Sequence, residues 1–259
     1  MTFATAQRRI CVSKYPRRRI GARGKEIMRQ GGEQMVKLTY LGHACFILSN
    51  GRESLIFDPY INGNPGAGDL DPQNIEVNYV LVSHAHADHL GDAVEICQHN
   101  NAILISTFEV GNLCRSQGVS RIHTGHIGGR ANFPFGYLRF TPALHGAGVA
   151  GGLACGFYVN FHQRGIYFAG DTGLFSDMRL LGQLEDIDYA LLPIGDNYTM
   201  GPADARLAVE MLNPKVVIPM HYNTFELIRQ DPYQFKAEVE ARGKVRVEVM
   251  APGDELELE

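Results

Sequence analysis

The chain has 259 residues, 45% hydrophobic and 20% charged, a balance that fits a soluble globular fold with a two-layer core in one large domain. Its apolar runs, such as 79–82 and 216–218, fall far short of the roughly 20 residues needed to span a bilayer, so no membrane span is expected. The formal net charge is −4, but residues 1–34 hold nine of the 24 basic and two of the 28 acidic residues, leaving 15 against 26, or −11, for the rest; such an acidic body grips nucleic-acid phosphates poorly.

Residues 1–34 include Arg17, Arg18 and Arg19, with only Glu26 and Glu33 as acids and no apolar periodicity. That composition predicts a disordered leader. It reads as a tail for nucleic acid or membrane, as an organelle transit peptide, or as a segment upstream of the true start. The third reading is favoured, because hydrophobic patterning begins abruptly at Met35-Val36-Lys37-Leu38 and Gly31-Gly32-Glu33 is encodable by a purine-rich tract like a bacterial ribosome-binding site.

From Met35 onward, short β-branched and apolar runs predict strands at 36–41, 45–48, 54–58, 79–83, 102–106, 137–142, 154–161, 165–169, 189–193, 216–220 and 246–250. Amphipathic stretches predict helices at 91–98, 108–116, 177–184, 203–212 and 232–241, each able to lay one apolar stripe on a sheet. Residues 62–72, rich in Gly, Pro, Asn and Asp, read as a loop. An early meander followed by strand and helix alternation, repeated in the second half, predicts an α/β fold: a four-layer αββα sandwich of two mixed sheets with outer helices, spanning 35–259. The five cysteines, Cys11, Cys45, Cys97, Cys114 and Cys155, are odd in number and lack C-x-x-C spacing. Neither a disulfide framework nor a thiolate zinc site is indicated, and a reducing cytoplasm is the expected compartment.

The densest chemical signal is Ser83-His84-Ala85-His86-Ala87-Asp88-His89, which places four candidate ligands within six residues where a buried strand gives way to a helix. Burying that much ionisable material unpaired is costly, and a metal removes the objection. Neutral imidazole and carboxylate suit zinc well, and iron or manganese acceptably. Three more candidates follow strands: His145 after 137–142, Asp171 after 165–169 and His221 after 216–220. Strand ends cluster along one edge of a sandwich, so these residues are expected to meet the first four. The Gly-rich stretch 146–152 precedes no convincing helix, which argues against a phosphate loop and for a mobile loop beside His145.

The H-x-H-x-D-H run, the later His145, Gly170-Asp171-Thr172-Gly173 and the final His221 resemble the metallo-β-lactamase superfamily. Tyr40-Leu41-Gly42-His43-Ala44-Cys45, Pro193-Ile194-Gly195-Asp196-Asn197 and Ile218-Pro219-Met220-His221-Tyr222-Asn223-Thr224-Phe225 are similar, more closely, to a bacterial and archaeal family of metal-dependent hydrolases without an assigned physiological substrate. The similarity covers essentially Met35 to Glu259. It implies two divalent cofactor ions, zinc first and manganese or iron next, with His84, His86 and His145 on one ion, Asp88, His89 and His221 on the other, and Asp171 shared. A metal-bridging hydroxide would attack the substrate, with Asp88 passing a proton to the leaving group.

By the same resemblance, Asp58 would accept the free ring N–H of a ligand histidine, the alternative being a plain turn residue. His43 would line the pocket or pack in the core, and Asp196, Asn197 and Tyr222 would border the mouth. The expected activity is hydrolysis of a small ester, lactone, thioester, amide or phosphoester, so the expected partner is a small molecule, without nucleic acid or membrane; homo-oligomerisation is compatible with the sequence. A mononuclear iron sulfur dioxygenase is the alternative, though it would leave Asp88, His89 and His221 idle. Nuclease action ranks lower because no basic arm follows the leader. A metal-binding protein without turnover would be marked by missing ligands, and none is missing.

Overall fold

The computed structural model describes residues 35–259 and the backbone of Ile20–Gly21, which pairs in parallel with Ile75–Glu76. The disorder expected for the remainder of 1–34, and Cys11 with it, lies outside the described residues.

Two seven-stranded sheets form the body. The first takes β1 (Val36–Gly42), β2 (Cys45–Ser49), β3 (Ser54–Phe57), β4 (Tyr79–Leu81), β5 (Ile103–Thr107) and β6 (Ile122–Gly125) from the first half of the chain. The second takes β7 (Arg130–Phe133), β8 (Gly136–Pro142), β9 (Cys155–Phe161), β10 (Arg164–Phe168), β11 (Tyr189–Pro193), β12 (Val216–Met220) and β13 (Arg246–Val247). The chain then returns, and β14 (Glu255–Leu258) pairs antiparallel with β1 at the edge of the first sheet.

The strand orders are β14-β1-β2-β3-β4-β5-β6 and β13-β12-β11-β10-β9-β8-β7. Each sheet joins an antiparallel meander to a parallel block, β3 to β6 in the first and β10 to β13 in the second. Parallel strands need crossovers, and these supply the outer helices. The first face carries α1 (Ala87–Leu90), α2 (Ala93–Asn100) and α3 (Phe108–Ser116); the second carries α4 (Met178–Leu184), α5 (Pro202–Leu212) and α6 (Pro232–Glu240). The αββα sandwich expected from the alternation is the observed fold.

Period-two alternation explains the layering. Phe46, Leu55, Phe57 and Leu81 point between the sheets, where Phe57 stacks on Phe168 with ring centroids 4.7 Å apart. Their neighbours Ile47, Ile56 and Val80 point outward, under Ala93, Ile96 and Cys97 of α2 and Val110 and Cys114 of α3. Cys45, Cys97, Cys114 and Cys155 are free and buried. No helix among the described residues is long and apolar enough to cross a membrane.

The departures from expectation lie at sheet edges. The strand expected at 246–250 pairs only over Arg246–Val247. The Val216 amide bonds to Asp188 on one side of β12, whereas the Val217 carbonyl accepts from Glu248 on the other. By alternation Pro219 faces that second side without an N–H to offer, so pairing cannot continue. Strands β6, β7 and β14 escape sequence reading because they are short and polar: Ile-His-Thr-Gly, Arg-Ala-Asn-Phe and Glu-Leu-Glu-Leu. Charge on β7 and β14 suits edge positions, where it discourages pairing with another chain. The helix expected at 91–98 begins at Ala93, because α1 and Gly91, at φ +41°, take up the preceding turn.

The inter-sheet layer dominates cohesion. Phe157, fully buried there, packs edge to face on Phe140 at 5.6 Å between centroids. Phe157→Ala is expected to cost about 3–5 kcal/mol of unfolding free energy. Urea denaturation checks this, and a loss under about 1 kcal/mol would show that the layer repacks.

Candidate metal centre

All seven residues marked out by the sequence meet where strands end, three of them strands of the parallel blocks (β4, β10 and β12) and one the antiparallel β8. The turn after β4 delivers His84, His86, Asp88 and His89. The segments after β8, β10 and β12 deliver His145, Asp171 and His221. Strand-ending residues here adopt left-handed backbone: Asp58 at φ +38°, Gly170 at +61° and His221 at +55°. Such conformations cost energy for non-glycine residues and aim side chains abruptly off the sheet into one pocket.

The seven side chains form two sets. Nε2 of His84 and Nε2 of His145 stand 3.0 and 3.2 Å from one atom, Nδ1 of His86. In the second set Oδ2 of Asp88 lies 4.0 Å from Nε2 of both His89 and His221. Asp171 lies between them: its Oδ2 is 3.1 Å from His221 Nε2, 3.3 Å from His89 Nε2 and 3.5 Å from His145 Nε2.

These spacings fit cations. Donors of a tetrahedral zinc site at 2.0–2.1 Å stand about 3.3–3.4 Å apart. More telling, the buried atoms His89 Nε2, His221 Nε2 and Asp171 Oδ1 have no hydrogen-bond partner. The two imidazole nitrogens lie close to the Asp171 carboxylate but are not aligned on it as donors. Orphaned polar atoms converging in a buried pocket are expensive unless something else satisfies them.

Electrostatics follow from burial. It pushes His84 down to about 2 and His43 down to about 4, so both imidazoles stay neutral and keep lone pairs to offer. Burial opposes charge on His89 too, but Asp171 and Asp58 on either side outweigh it and raise its pKa. Asp171 is likewise penalised by burial, yet His89 and His221 hold it well below the usual carboxylate range. Asp88 stays ionised against its partial burial through the hydrogen bond to His43.

The surrounding residues fix ring orientations. Asp58 Oδ2 is 2.7 Å from His89 Nδ1, which leaves Nε2 facing the centre, and its Oδ1 accepts from the Ser83 amide at 2.7 Å. Ser83 Oγ sits 2.9 Å from His84 Nδ1. His43 is buried, with Nε2 at 3.2 Å from Asp88 Oδ2 and Nδ1 at 2.9 Å from Thr224 Oγ1. Its carbonyl accepts from the His221 amide at 2.8 Å, tying the end of β1 to the end of β12. Tyr222, half-buried, lines a cavity beside His43. Asp196 and Asn197 are exposed, and Asp196 Oδ1 accepts from the Asn197 amide within their own turn. The residue of that stretch that meets the site is Gly195, where a Cβ would lie 2.2 Å from the His221 carbonyl.

Ser83, Thr224, Asp92 and Asn64 were not singled out in the sequence. Asp92 Oδ2 accepts from the amides of Ile61 and Asn62, both at 2.8 Å, holding the 59–62 segment against Gly91. A Cβ on Gly91 would lie 2.5 Å from the Pro59 carbonyl. The Gly91-Asp92 pair directly after the ligand run was the available signal. Within 146–152, the Ala147 carbonyl accepts from the Ala85 amide at 2.8 Å, and Gly148 packs so closely that a Cβ on it would lie 2.7 Å from the Ala85 carbonyl carbon. That contact pins the stretch expected to be mobile onto the backbone of the ligand turn.

The beta-lactamase superfamily domain model matches residues 37–221. UPF0173 metal-dependent hydrolases of Natranaerobius thermophilus and Desulforamulus reducens are each 49% identical over 86% of this chain and 100% of their own length. The chain belongs to the UPF0173 metal-dependent hydrolase family. Among solved structures it is similar to Igni18, a metallo hydrolase from the archaeon Ignicoccus hospitalis, at 38% identity and a TM-score of 0.81, covering 87% of this chain and 99% of that one. It is accordingly a metal-dependent hydrolase of the metallo-β-lactamase fold.

Within this UPF0173 site, Asp58 is the residue whose effect on metal is most separable from ligation. Asp58→Asn keeps the volume but removes the charge beside His89 Nδ1. Metal affinity is expected to fall about 10–100-fold. Competition against a chromophoric chelator measures this, and unchanged affinity would reduce Asp58 to a turn residue.

Proposed function

We propose that the centre holds two divalent ions, zinc in the simplest case, and hydrolyses a small ester, lactone, thioester, amide or phosphoester. His84, His86 and His145 would hold one ion, and Asp88, His89 and His221 the other. The observation that carries this reading is Asp171, whose single Oδ2 lies within 3.5 Å of histidines from both sets. A carboxylate shared between two cations lowers their mutual repulsion. The donor set of five imidazoles and two carboxylates suits zinc, with manganese or iron as the other candidates. When bound, the ions supply a water deprotonated near neutral pH and Lewis-acid polarisation of the oxygen of the group under attack.

The remaining steps belong to the protein. The side chains of Asp88 and His145 are 28% and 14% exposed, whereas those of His89, Asp171 and His221 are at most 3% exposed. Substrate therefore approaches over Asp88 and His145. Asp88 Oδ2, kept ionised by His43, is the accessible base of the centre. It can relay to the leaving group the proton that the water gives up on ionising. The seven residues come from one chain, so a second copy is not needed to complete the site.

A mononuclear iron dioxygenase would leave the buried Nε2 atoms of His89 and His221 without a partner. Nucleic acid is a poor substrate for a body carrying 15 basic and 26 acidic residues over 35–259. We therefore assign a small-molecule substrate, with neither nucleic acid nor membrane as partner, and a cytoplasmic setting for the four buried free thiols among the described residues.

Elemental mass spectrometry on protein purified without a metal-affinity tag tests the reading. Two zinc or manganese ions per chain are expected, falling in both Asp171→Ala and His221→Ala. A panel of lactones, thioesters and phosphodiesters should then show turnover that drops at least about 100-fold in either variant. One iron per chain, retained in His221→Ala, would replace this reading with the dioxygenase, and no metal after reconstitution would end both.

A further inference from the structure

The half-open cavity beside His43 has a volume of about 290 Å³. That lies at the small end of organic ligand sites, roughly 300–1,000 Å³. Tyr40, Tyr222 and Tyr233 line it, with Met250 and the prolines Pro65, Pro232 and Pro252. Tyr233, 69% exposed, stands at the rim, and Met250, 6% exposed, lies deep. No Asp, Glu, Lys or Arg among the described residues contributes to the lining. The metal centre a few ångströms away is built almost wholly of ionisable groups, so the contrast is sharp.

One wall of this cavity is rigid by construction. Asn64 Nδ2 donates to the Tyr60 carbonyl at 2.9 Å while its Oδ1 accepts from the Gly66 amide at 2.9 Å. Gly66 packs on Gly42 so closely that a Cβ built on either would lie 2.9 Å from the Cα of the other. The pair His43 and Thr224, joined at 2.9 Å, also lines the cavity, and His43 reaches through to Asp88 at 3.2 Å. An occupant in contact with that pair touches the imidazole that positions Asp88.

We propose that this cavity binds an uncharged, ring-bearing organic molecule, packed on the tyrosines and Met250 and separated from the metal residues by the His43 ring. A carboxylate or phosphate is disfavoured because it would give up part of its hydration with no cationic side chain in the lining to replace it. A neutral ring gains apolar burial and offset or edge-on contact with the tyrosines, and sulfur contact with Met250. A polar substituent on the ring finds a hydrogen-bonding wall at Thr224. The molecule is the non-reacting part of the substrate or a separate effector, and the chemistry required is the same for both.

The test is binding, so it stands independently of the hydrolase reading. The full metal-loaded chain is titrated with benzamide, and separately with benzoate as its charged counterpart, following the amide NMR signals of Thr224, Tyr233 and Ala251. Saturable benzamide binding is expected, with benzoate at least tenfold weaker at the same signals. Ala251→Trp, a substitution at an exposed lining position, fills the cavity and should weaken benzamide at least tenfold while leaving metal content unchanged. Tyr233→Ala, at the exposed rim, is the second variant and should weaken it severalfold. Absence of saturation, benzoate as tight as benzamide, or unaltered affinity in both variants overturns the proposal. If benzamide binds, competition against any substrate found separates the sources: competitive inhibition identifies the cavity as part of the substrate site, and a change in kcat without competition identifies an effector site.

Discussion

The carboxylate of Asp171 is the constraint around which the rest is arranged. It is 3% exposed and stands 3.1 to 3.5 Å from three imidazole nitrogens. An isolated ionised carboxylate in such a place would cost several kcal/mol. Burial is tolerable only because the neighbours hold positive charge or hold cations in its place. Strand ends from both sheets must therefore reach the same height, since the imidazoles around Asp171 come from three of them, those of β4, β8 and β12.

The precision of that arrangement comes from the groups behind it. Asp58 fixes His89, Ser83 contacts His84, and His43 fixes Asp88. Left-handed residues at the strand ends keep these contacts short, and the glycines at 91, 170 and 195 stand where neighbouring atoms leave no room for a Cβ. A donor held by packing and hydrogen bonds needs little reorganisation when an ion binds, which is the advantage of building a site on sheet ends and pinned turns instead of free loops.

Legibility in the sequence divides along the same physical lines. Central strands such as β4, β11 and β12 announce themselves because both faces are buried and the run is continuously apolar. Edge strands do not, since Glu255–Leu258 alternates charge with leucine and Ile122–Gly125 is half-polar. The ligand run at 84–89 is legible because the donors are consecutive, and His145, Asp171 and His221 because each follows an apolar strand. Asn64, Thr224 and Asp92 look like ordinary loop residues, and their importance lies in partners that folding supplies, 181 positions away for the Thr224 contact to His43. Asp196 and Asn197 stand exposed in their own turn, and their neighbour Gly195 meets the site by lacking a side chain.

The division of donors between the halves of the chain ties folding to metal. The first half supplies His84, His86, Asp88 and His89 from one turn, and the second supplies His145, Asp171 and His221 from three separate strand ends. Neither proposed set is complete within one half: His145 completes the first and His221 the second, with Asp171 between. Each bound ion would therefore link the two sheets across their common edge, adding to the bond from the His221 amide to the His43 carbonyl. An unfolded chain keeps the 84–89 cluster but separates it from its other donors, so its affinity is necessarily lower. Binding that favours the folded state stabilises it by mass action. With the proposed ions bound, the centre would be both the catalytic element and a clamp on the sandwich that builds it.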